Sequence, residues 1–165
     1  MDGETRTERL TAALAARYTA TFDRTPRDSV PQGIHWCLNT PEARTGALGP
    51  DGHPARLDHL DLPRRMWASS EMIFHAPIAL GAAVSRTSRV IDRQDKTGKA
   101  GRLLFVTVAH EIVADGEPAI SERQAIVYRE APSPGAPPPP PPPPVEDREW
   151  DWSRSITPSE PLLFR

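Results

Sequence analysis

The sequence predicts an α+β fold, with one helix near the amino end, a long irregular region, and then about four strands. Apolar residues recur every four positions early in the chain, which is typical of a helix. They alternate with polar residues over 102–130, which is typical of strands. Because short turns separate the strands, and parallel strands need long crossovers, we expect an antiparallel sheet.

Length and composition limit the possible classes of protein. The chain has 165 residues, 38% of them hydrophobic and 25% charged, which fits one domain with some additional tail. A net charge of −2 gives no indication of a nucleic-acid or membrane-surface partner. The lone Cys37 excludes an internal disulfide framework and a cysteine-rich zinc site. No apolar run approaches about 20 residues and the start lacks a signal-peptide core, so we expect a cytoplasmic protein.

The amino-terminal helix is predicted over residues 5–22. Thr5 and Glu8 have the spacing of a capping box at its start. We expect this helix to serve packing. Its apolar positions are Leu10, Leu14, Tyr18 and Phe22.

Residues 24–62 are rich in proline and glycine and show little periodicity, which is typical of a functional or irregular connection. Within them the apolar stretch Ile34–Leu38 predicts a short helix.

The stretch Pro63–Gly81 predicts the first strand of the β-rich half. Met72 and Phe74 would lie on one face of that strand. Pro77 lacks an amide donor and Gly81 tolerates positive φ, so the strand should end there. The residues expected on its other face are Glu71, Ile73 and His75.

Three further strands follow from the pattern. We expect strands over Ala82–Ile91, Arg102–Val113 and Pro118–Glu130. The sequence predicts a polar turn over Asp92–Gly101 and a hairpin turn at Asp115-Gly116.

The last part of the chain predicts a linker and a tail. Pro137–Pro144 are eight consecutive prolines, which favour polyproline II and can join neither a sheet nor a helix. Trp150, Trp152 and the terminal apolar cluster indicate a tail that packs on a partner or on the domain. We therefore divide the chain into a helix (1–23), a main domain (24–131), a linker (132–145) and a tail (146–165).

Several short sequence motifs, in the same order, resemble the amino-terminal half of the two-domain MaoC-like hydratases. This double-hotdog group includes mesaconyl-C4-CoA and itaconyl-CoA hydratases and mitochondrial type 2 3-hydroxyacyl-thioester dehydratases. The resemblance covers roughly residues 30–130 and resumes at Pro161–Arg165. The matching motifs are HW at His35-Trp36, LGPDGHP at 48–54, LPRRMWA at 62–68, FHAP at 74–77, GKAG at 98–101, FVTVAHE at 105–111 and ERQAIVYRE at 122–130.

The resemblance implies a hotdog fold, in which an antiparallel sheet wraps around a helix. It also implies a non-catalytic half of an enoyl-CoA hydratase or 3-hydroxyacyl-CoA dehydratase, because the family's catalytic His and Asp have no matching positions here. The implied partners are an acyl-CoA substrate and a catalytic MaoC-like hotdog subunit, or a second copy of this chain. The alternative is an acyl-CoA-binding or scaffold protein without activity.

Candidate binding residues lie in the LPRRMWA motif and in the irregular region 24–62. Arg64 and Arg65 suit coenzyme A phosphates, although an interdomain ion pair or a solvated turn is the simpler explanation. Trp67 would stack on an adenine or, as we prefer, fill the core. His35 and His53 would lie at the lip of a pocket.

Other chemistry is not indicated by the sequence. The five histidines show no metal-binding spacing, so we expect neither a metal nor another cofactor. His75 and His110 lie in expected strands and should be structural. His110 and Glu111 are neighbours that would point to opposite faces, and Cys37 is expected to be buried.

Overall fold

A computed structural model of the chain describes residues 3–22, 30–48, 62–98 and 101–131. In these ranges no helix is both long and apolar enough to cross a membrane. The elements are strand β1 (Glu4–Arg9), helix α1 (Ala12–Thr21), two short 3-10 helices (Ile34–Cys37 and Thr45–Ala47), and strands β2 (Arg64–Phe74), β3 (Ala83–Gly98), β4 (Gly101–Ala114) and β5 (Glu117–Arg129).

The strands form one antiparallel sheet in the order β1-β3-β4-β5-β2. Strands β3, β4 and β5 follow one another through tight turns, so local hairpins build the middle of the sheet. The second of these turns is Asp115-Gly116, as expected, and both residues have positive φ. Strands β1 and β2 lie at the two edges of the sheet.

The sheet has an inner face, which carries Val84, Ile112 and Ile120, and an outer face on the other side. Helix α1 packs on the inner face through Leu14, Ala15 and Tyr18. Burying apolar side chains between a helix and a sheet is the main favourable term in such a layer. This is the arrangement of one helix against an antiparallel sheet that the sequence predicts.

Three register shifts interrupt the pairing of the strands. They lie between Trp67 and Ser69 in β2, between Val90 and Asp92 in β3, and between Ile112 and Val113, where β4 pairs with β5. An extra residue in one strand reverses the alternation of side chains beyond it. As a result Trp67 and Ser70, three positions apart, both lie on the inner face.

The prediction of a helix over residues 5–22 is wrong in its first part. Residues 4–9 form β1, which pairs with β3, and Thr5 bonds to Thr87 across the strands at 2.8 Å. Thr11 rather than Thr5 caps α1, since its side chain accepts a hydrogen bond from the backbone N of Leu14. The amino-terminal residues therefore belong to the sheet.

The prediction of a polar turn over Asp92–Gly101 is too long. Strand β3 continues to Gly98, and β4 begins at Gly101, so the two strands extend as a long hairpin. The polar side chains of this part belong to exposed strand rather than to a turn. Cross-strand contacts, such as Arg102 with Asp95 at 2.6 Å, stabilise the extension.

Candidate functional site

A row of polar side chains crosses the inner face between two apolar clusters. One cluster contains Val84, Ile112 and Ile120, and the other contains Val106 and Ile126. Between them the strand register places three polar residues side by side on neighbouring strands. These are Ser88 on β3, His110 on β4 and Glu122 on β5. Buried polar groups cost free energy unless they are paired, so this row needs an explanation.

Glu122 is the centre of the row, and its side chain is only 4% exposed. Its Oε1 accepts a hydrogen bond from Ser70 Oγ at 2.5 Å, and its Oε2 accepts one from Trp36 Nε1 at 3.3 Å. Trp67 Nε1 in turn donates to Ser70 Oγ at 3.1 Å. The carboxylate therefore joins β5 to the edge strand β2 and to the first 3-10 helix.

Two indoles stand edge to face beside this carboxylate. The ring centroids of Trp36 and Trp67 are 5.3 Å apart, with an angle of 85° between their planes. Such T-shaped pairs are favourable because the positive edge of one ring meets the negative face of the other. Both indole N–H groups are engaged in the Glu122 network, so that network sets their orientation.

His35 is buried next to this network without a hydrogen bond of its own. Its side chain is 3% exposed, and neither ring nitrogen has a partner among the described residues. It contacts the rings of Trp36 and Phe74, with centroids at 5.0 and 6.1 Å. Burial lowers the pKa of His35, and the nearby Glu122 carboxylate opposes that shift. A neutral buried imidazole with two open nitrogens is unusual in a folded protein.

His110 and Arg86 complete the polar row. His110 Nδ1 bonds to Ser88 Oγ at 2.8 Å, and burial lowers the pKa of His110. Burial also lowers the pKa of Arg86, whose Nη2 donates to the carbonyl oxygen of Asn39 at 2.6 Å. The Glu122 carboxylate opposes the shift in both groups.

The structure separates the two candidate arginines. The register places Arg64 opposite Arg129 and Arg65 opposite Tyr128, on neighbouring positions of β2. Adjacent strand residues point to opposite faces, so Arg65 lies on the inner face with Tyr128, and Arg64 lies on the outer face. The two arginine side chains therefore leave β2 on opposite faces of the sheet.

Two expectations about burial are wrong. Trp67 is 54% exposed and does not fill the core, because the bulge in β2 and the bond to Ser70 hold it at the sheet edge. Cys37 is exposed rather than buried. His53 lies outside the described residues.

The expectations for His75 and His110 as strand residues agree with the structure. His75 Nε2 bonds to Ser121 Oγ at 2.9 Å on the outer face, and Ser121 Oγ donates to Glu111. His110 and Glu111 point to opposite faces, as expected from strand geometry. Within the described ranges, no three His, Cys, Asp or Glu side chains are arranged to hold a metal ion.

Glu122 is the residue that sequence reasoning missed. It lies two positions after Ile120 and four before Ile126, on the apolar side of β5. An acidic residue at a core position of an alternating strand was the available signal, since carboxylates are almost never fully buried without partners.

Comparison with known proteins now identifies the family. The model of the family "Hydroxyacyl-thioester dehydratase type 2" matches residues 33–165. The chain belongs to this family. The match covers most of the chain and confirms the resemblance seen in the sequence motifs.

A curated relative of the chain is the mesaconyl-C(4)-CoA hydratase of Chloroflexus aurantiacus. The two are 37% identical over 136 residues, which is 79% of this chain and 47% of the relative. The chain thus spans about half the length of the curated relative that it matches.

Three solved structures share the fold of this family member. They confirm the hotdog fold, and at 14% sequence identity they show the fold alone. They are the ChsH1-ChsH2 complex of Mycobacterium tuberculosis (TM-score 0.56, 79% of this chain, 86% of the other), the R-hydratase PhaJ1 of Pseudomonas aeruginosa (0.53, 78% and 81%) and a MaoC-like dehydratase of Rhodospirillum rubrum (0.53, 80% and 94%).

Proposed function

We propose that this chain is the non-catalytic hotdog half of an enoyl-CoA hydratase or 3-hydroxyacyl-CoA dehydratase of the mesaconyl-C4-CoA hydratase type. It pairs with a catalytic MaoC-like hotdog and supplies part of the acyl-CoA binding surface. The observation that carries the proposal is the apolar, unpaired edge of β2.

Strand β2 is an edge strand of 11 residues whose second edge has no strand partner in the described part of the chain. Met66, Trp67, Ile73 and Phe74 along it are exposed, and Ile73 is 57% exposed. A long apolar edge presents unpaired N–H and C=O groups that favour pairing with another sheet. This edge is where we place the partner.

The hydration reaction requires an acid, a base and hydrogen-bond donors at one site, and the described residues do not provide this set together. Adding water across an α,β-unsaturated thioester needs a base for the water and an acid for the α-carbon. It also needs donors aimed at the thioester oxygen as negative charge develops there. None of the three described histidines is hydrogen-bonded to an aspartate. We therefore assign the catalytic acid and base to the MaoC-like partner subunit.

The arginines of β2 remain candidates for coenzyme A, but at separate positions. Arg64 and Arg129 lie directly opposite each other on paired strands. Like charges in that position repel each other, and a bound phosphate relieves the repulsion. We assign one phosphate of coenzyme A to Arg64 with Arg129. Arg65 and Trp67, together on the inner face, and the buried His35 are assigned to the pantetheine or acyl side. His53 stays a proposed contact of the same ligand.

The pairing experiment uses the chain co-expressed with a MaoC-like hotdog chain that carries the family's His and Asp. We expect a stable heterodimer by sedimentation velocity. Ile73→Lys should weaken it at least about tenfold, because a charge would be buried on the docking edge. Ile91→Lys is the matched control, since Ile91 is 48% exposed on β3, away from that edge.

The outcomes separate the alternatives. A homodimer that excludes the catalytic chain and still binds CoA thioesters would support the acyl-CoA-binding or scaffold function. A chain that pairs with neither a catalytic hotdog nor itself would contradict both functions. Equal effects of the two lysine variants would place the interface elsewhere.

A further inference from the structure

We define the Glu122 centre as Glu122, His35, Trp36, Ser70 and His110. Its two most buried members, Glu122 and His35, have unused hydrogen-bonding capacity. Each Glu122 oxygen accepts one hydrogen bond from a side chain, and each can accept a second. His35 uses neither ring nitrogen. The two groups share a neighbour, since Trp36 contacts the His35 ring at 5.0 Å and donates to Glu122 at 3.3 Å. Open capacity on two buried groups around one indole favours a binding site over a structural network, in which the groups satisfy each other.

The open groups specify the chemistry of a ligand. Glu122 requires a donor, and a neutral His35 offers one N–H donor and one nitrogen acceptor. A carboxylate or phosphate brings no donor and would be repelled by Glu122. An ammonium group brings no acceptor for the imidazole N–H. A hydroxyl or an amide satisfies both, since each of them donates and accepts.

We propose that the Glu122 centre binds a neutral donor–acceptor group, the hydroxyl or the amide of an acyl thioester. The group donates to Glu122 and accepts from His35. The choice of acyl thioesters rests on the proposed function, whereas the site itself rests on Glu122 and His35.

Trp36 controls the approach to this site. Its side chain is 40% exposed, yet its Nε1 reaches the buried Glu122, so the indole extends from the surface to the carboxylate. The bond from Trp36 to Glu122 is 3.3 Å long, against 2.5 Å for the bond from Ser70. Longer hydrogen bonds are weaker. The weaker Trp36 bond is therefore the one that gives way as the ligand enters, and the ligand's donor binds an open acceptor position of Glu122 Oε2.

The experiment uses the chain alone and observes the imidazole ¹⁵N signals by NMR. Two probes separate the sources of the donor–acceptor group. Ethyl 3-hydroxybutanethioate carries the hydroxyl without an amide, and S-butanoyl-N-acetylcysteamine carries the amide without a hydroxyl. We expect at least one probe to shift the His35 signals saturably, together with a change in tryptophan fluorescence that is absent in Trp36→Phe.

Variants then test the contacts. Glu122→Gln and His35→Phe should each weaken the binding of the active probe about tenfold, the loss expected for a hydrogen bond to a charged or buried group. His75→Gln is the matched control, because His75 lies on the outer face, and it should leave binding unchanged.

Wild-type protein alone is sufficient to overturn the proposal, even if a variant does not fold. If neither probe shifts the His35 signals at saturating concentration, the proposal is wrong. It is also wrong if binding survives in Glu122→Gln, or if His75→Gln reduces it equally. Because no partner is present, a failure here is distinct from a failure of the pairing experiment.

Discussion

Ser70 on β2 donates a 2.5 Å hydrogen bond to Glu122 on β5, across 52 residues of sequence. Ser70 lies opposite Gln124 in the register, and Glu122 lies opposite Met72, so the bond runs diagonally between the strands. It joins the exposed edge of the sheet to the most buried carboxylate on the inner face. Both the proposed partner surface and the proposed ligand site depend on this connection.

Glu122→Ala should destabilise the chain by about 2 kcal/mol. The substitution removes the acceptor for Trp36 and Ser70 and leaves two part-buried donors without it, which costs about 1–3 kcal/mol. Urea unfolding measures the change. Glu117→Ala, at an exposed position, is the control and should change the free energy of unfolding by about 0.5 kcal/mol or less. Equal effects would show that Glu122 is not held as described.

Gly33→Ala should destabilise the chain more than Gly116→Ala. Both glycines have φ of +92°, where an L residue costs about 1–2 kcal/mol. At Gly33 the new Cβ would also lie 2.6 Å from the Tyr18 hydroxyl, whereas at Gly116 nothing lies within 4 Å.

Tyr18→Phe should recover part of the loss in the Gly33→Ala background. The next Tyr18 atom lies 3.7 Å from the new Cβ, so removing the hydroxyl relieves the close contact but leaves the backbone strain. Thermal unfolding of the two single variants and the double variant measures this. A purely additive double variant would contradict the contact.

The chain should lose stability as the pH falls below about 6.5, the ordinary pKa of histidine. Burial lowers the pKa of His35 and of His110 in the folded state, with Arg86 adding to the shift and Glu122 opposing it. The unfolded chain then takes up protons first, so this stability is present above the unfolded pKa and is lost as pH falls through the folded pKa values. In the His35→Gln/His110→Gln variant, the free energy of unfolding should fall less between about pH 7.5 and about pH 5.5. A slope equal to that of the wild type would contradict the assignment.

Arg64→Ala should weaken coenzyme A binding about tenfold if Arg64 and Arg129 hold a phosphate. Arg123→Ala is the matched control, because Arg123 lies on the same outer face but opposite the acidic Glu71 rather than opposite another arginine. Calorimetry at low and high salt measures both affinities. An equal loss in the two variants would indicate a diffuse electrostatic effect rather than a site.

The sequence predicted the β-rich half of the fold well, because alternation and turn residues act locally. Asp115-Gly116 and the alternation in Arg102–Val113 specify a hairpin without information from elsewhere in the chain. Strand β1 was missed because Leu10, Leu14 and Tyr18 continue a helical spacing into a segment whose partner, β3, lies more than 70 residues away. Pairing at that distance overrode the local pattern.

The candidate site was less predictable because it depends on contacts between distant segments. Trp36 meets Glu122 across 86 residues, and no spacing in the sequence specifies such a bond. The exposure of Trp67 depends on a bulge, which one extra residue creates without a clear sequence signal. The His110–Glu111 pair, by contrast, could be rejected from the sequence, since alternation alone separates the two side chains.

The most direct test of the proposed function is hydration of mesaconyl-C4-CoA and crotonyl-CoA by a catalytic MaoC-like hotdog chain, measured with and without this chain. We expect the isolated chain to be inactive and the mixture to exceed the catalytic chain alone by at least about tenfold in kcat/KM. Ile73→Lys should abolish that gain, and Ile91→Lys should preserve it. A catalytic chain that is equally active alone, or turnover by this chain on its own, would contradict a non-catalytic half that works by pairing.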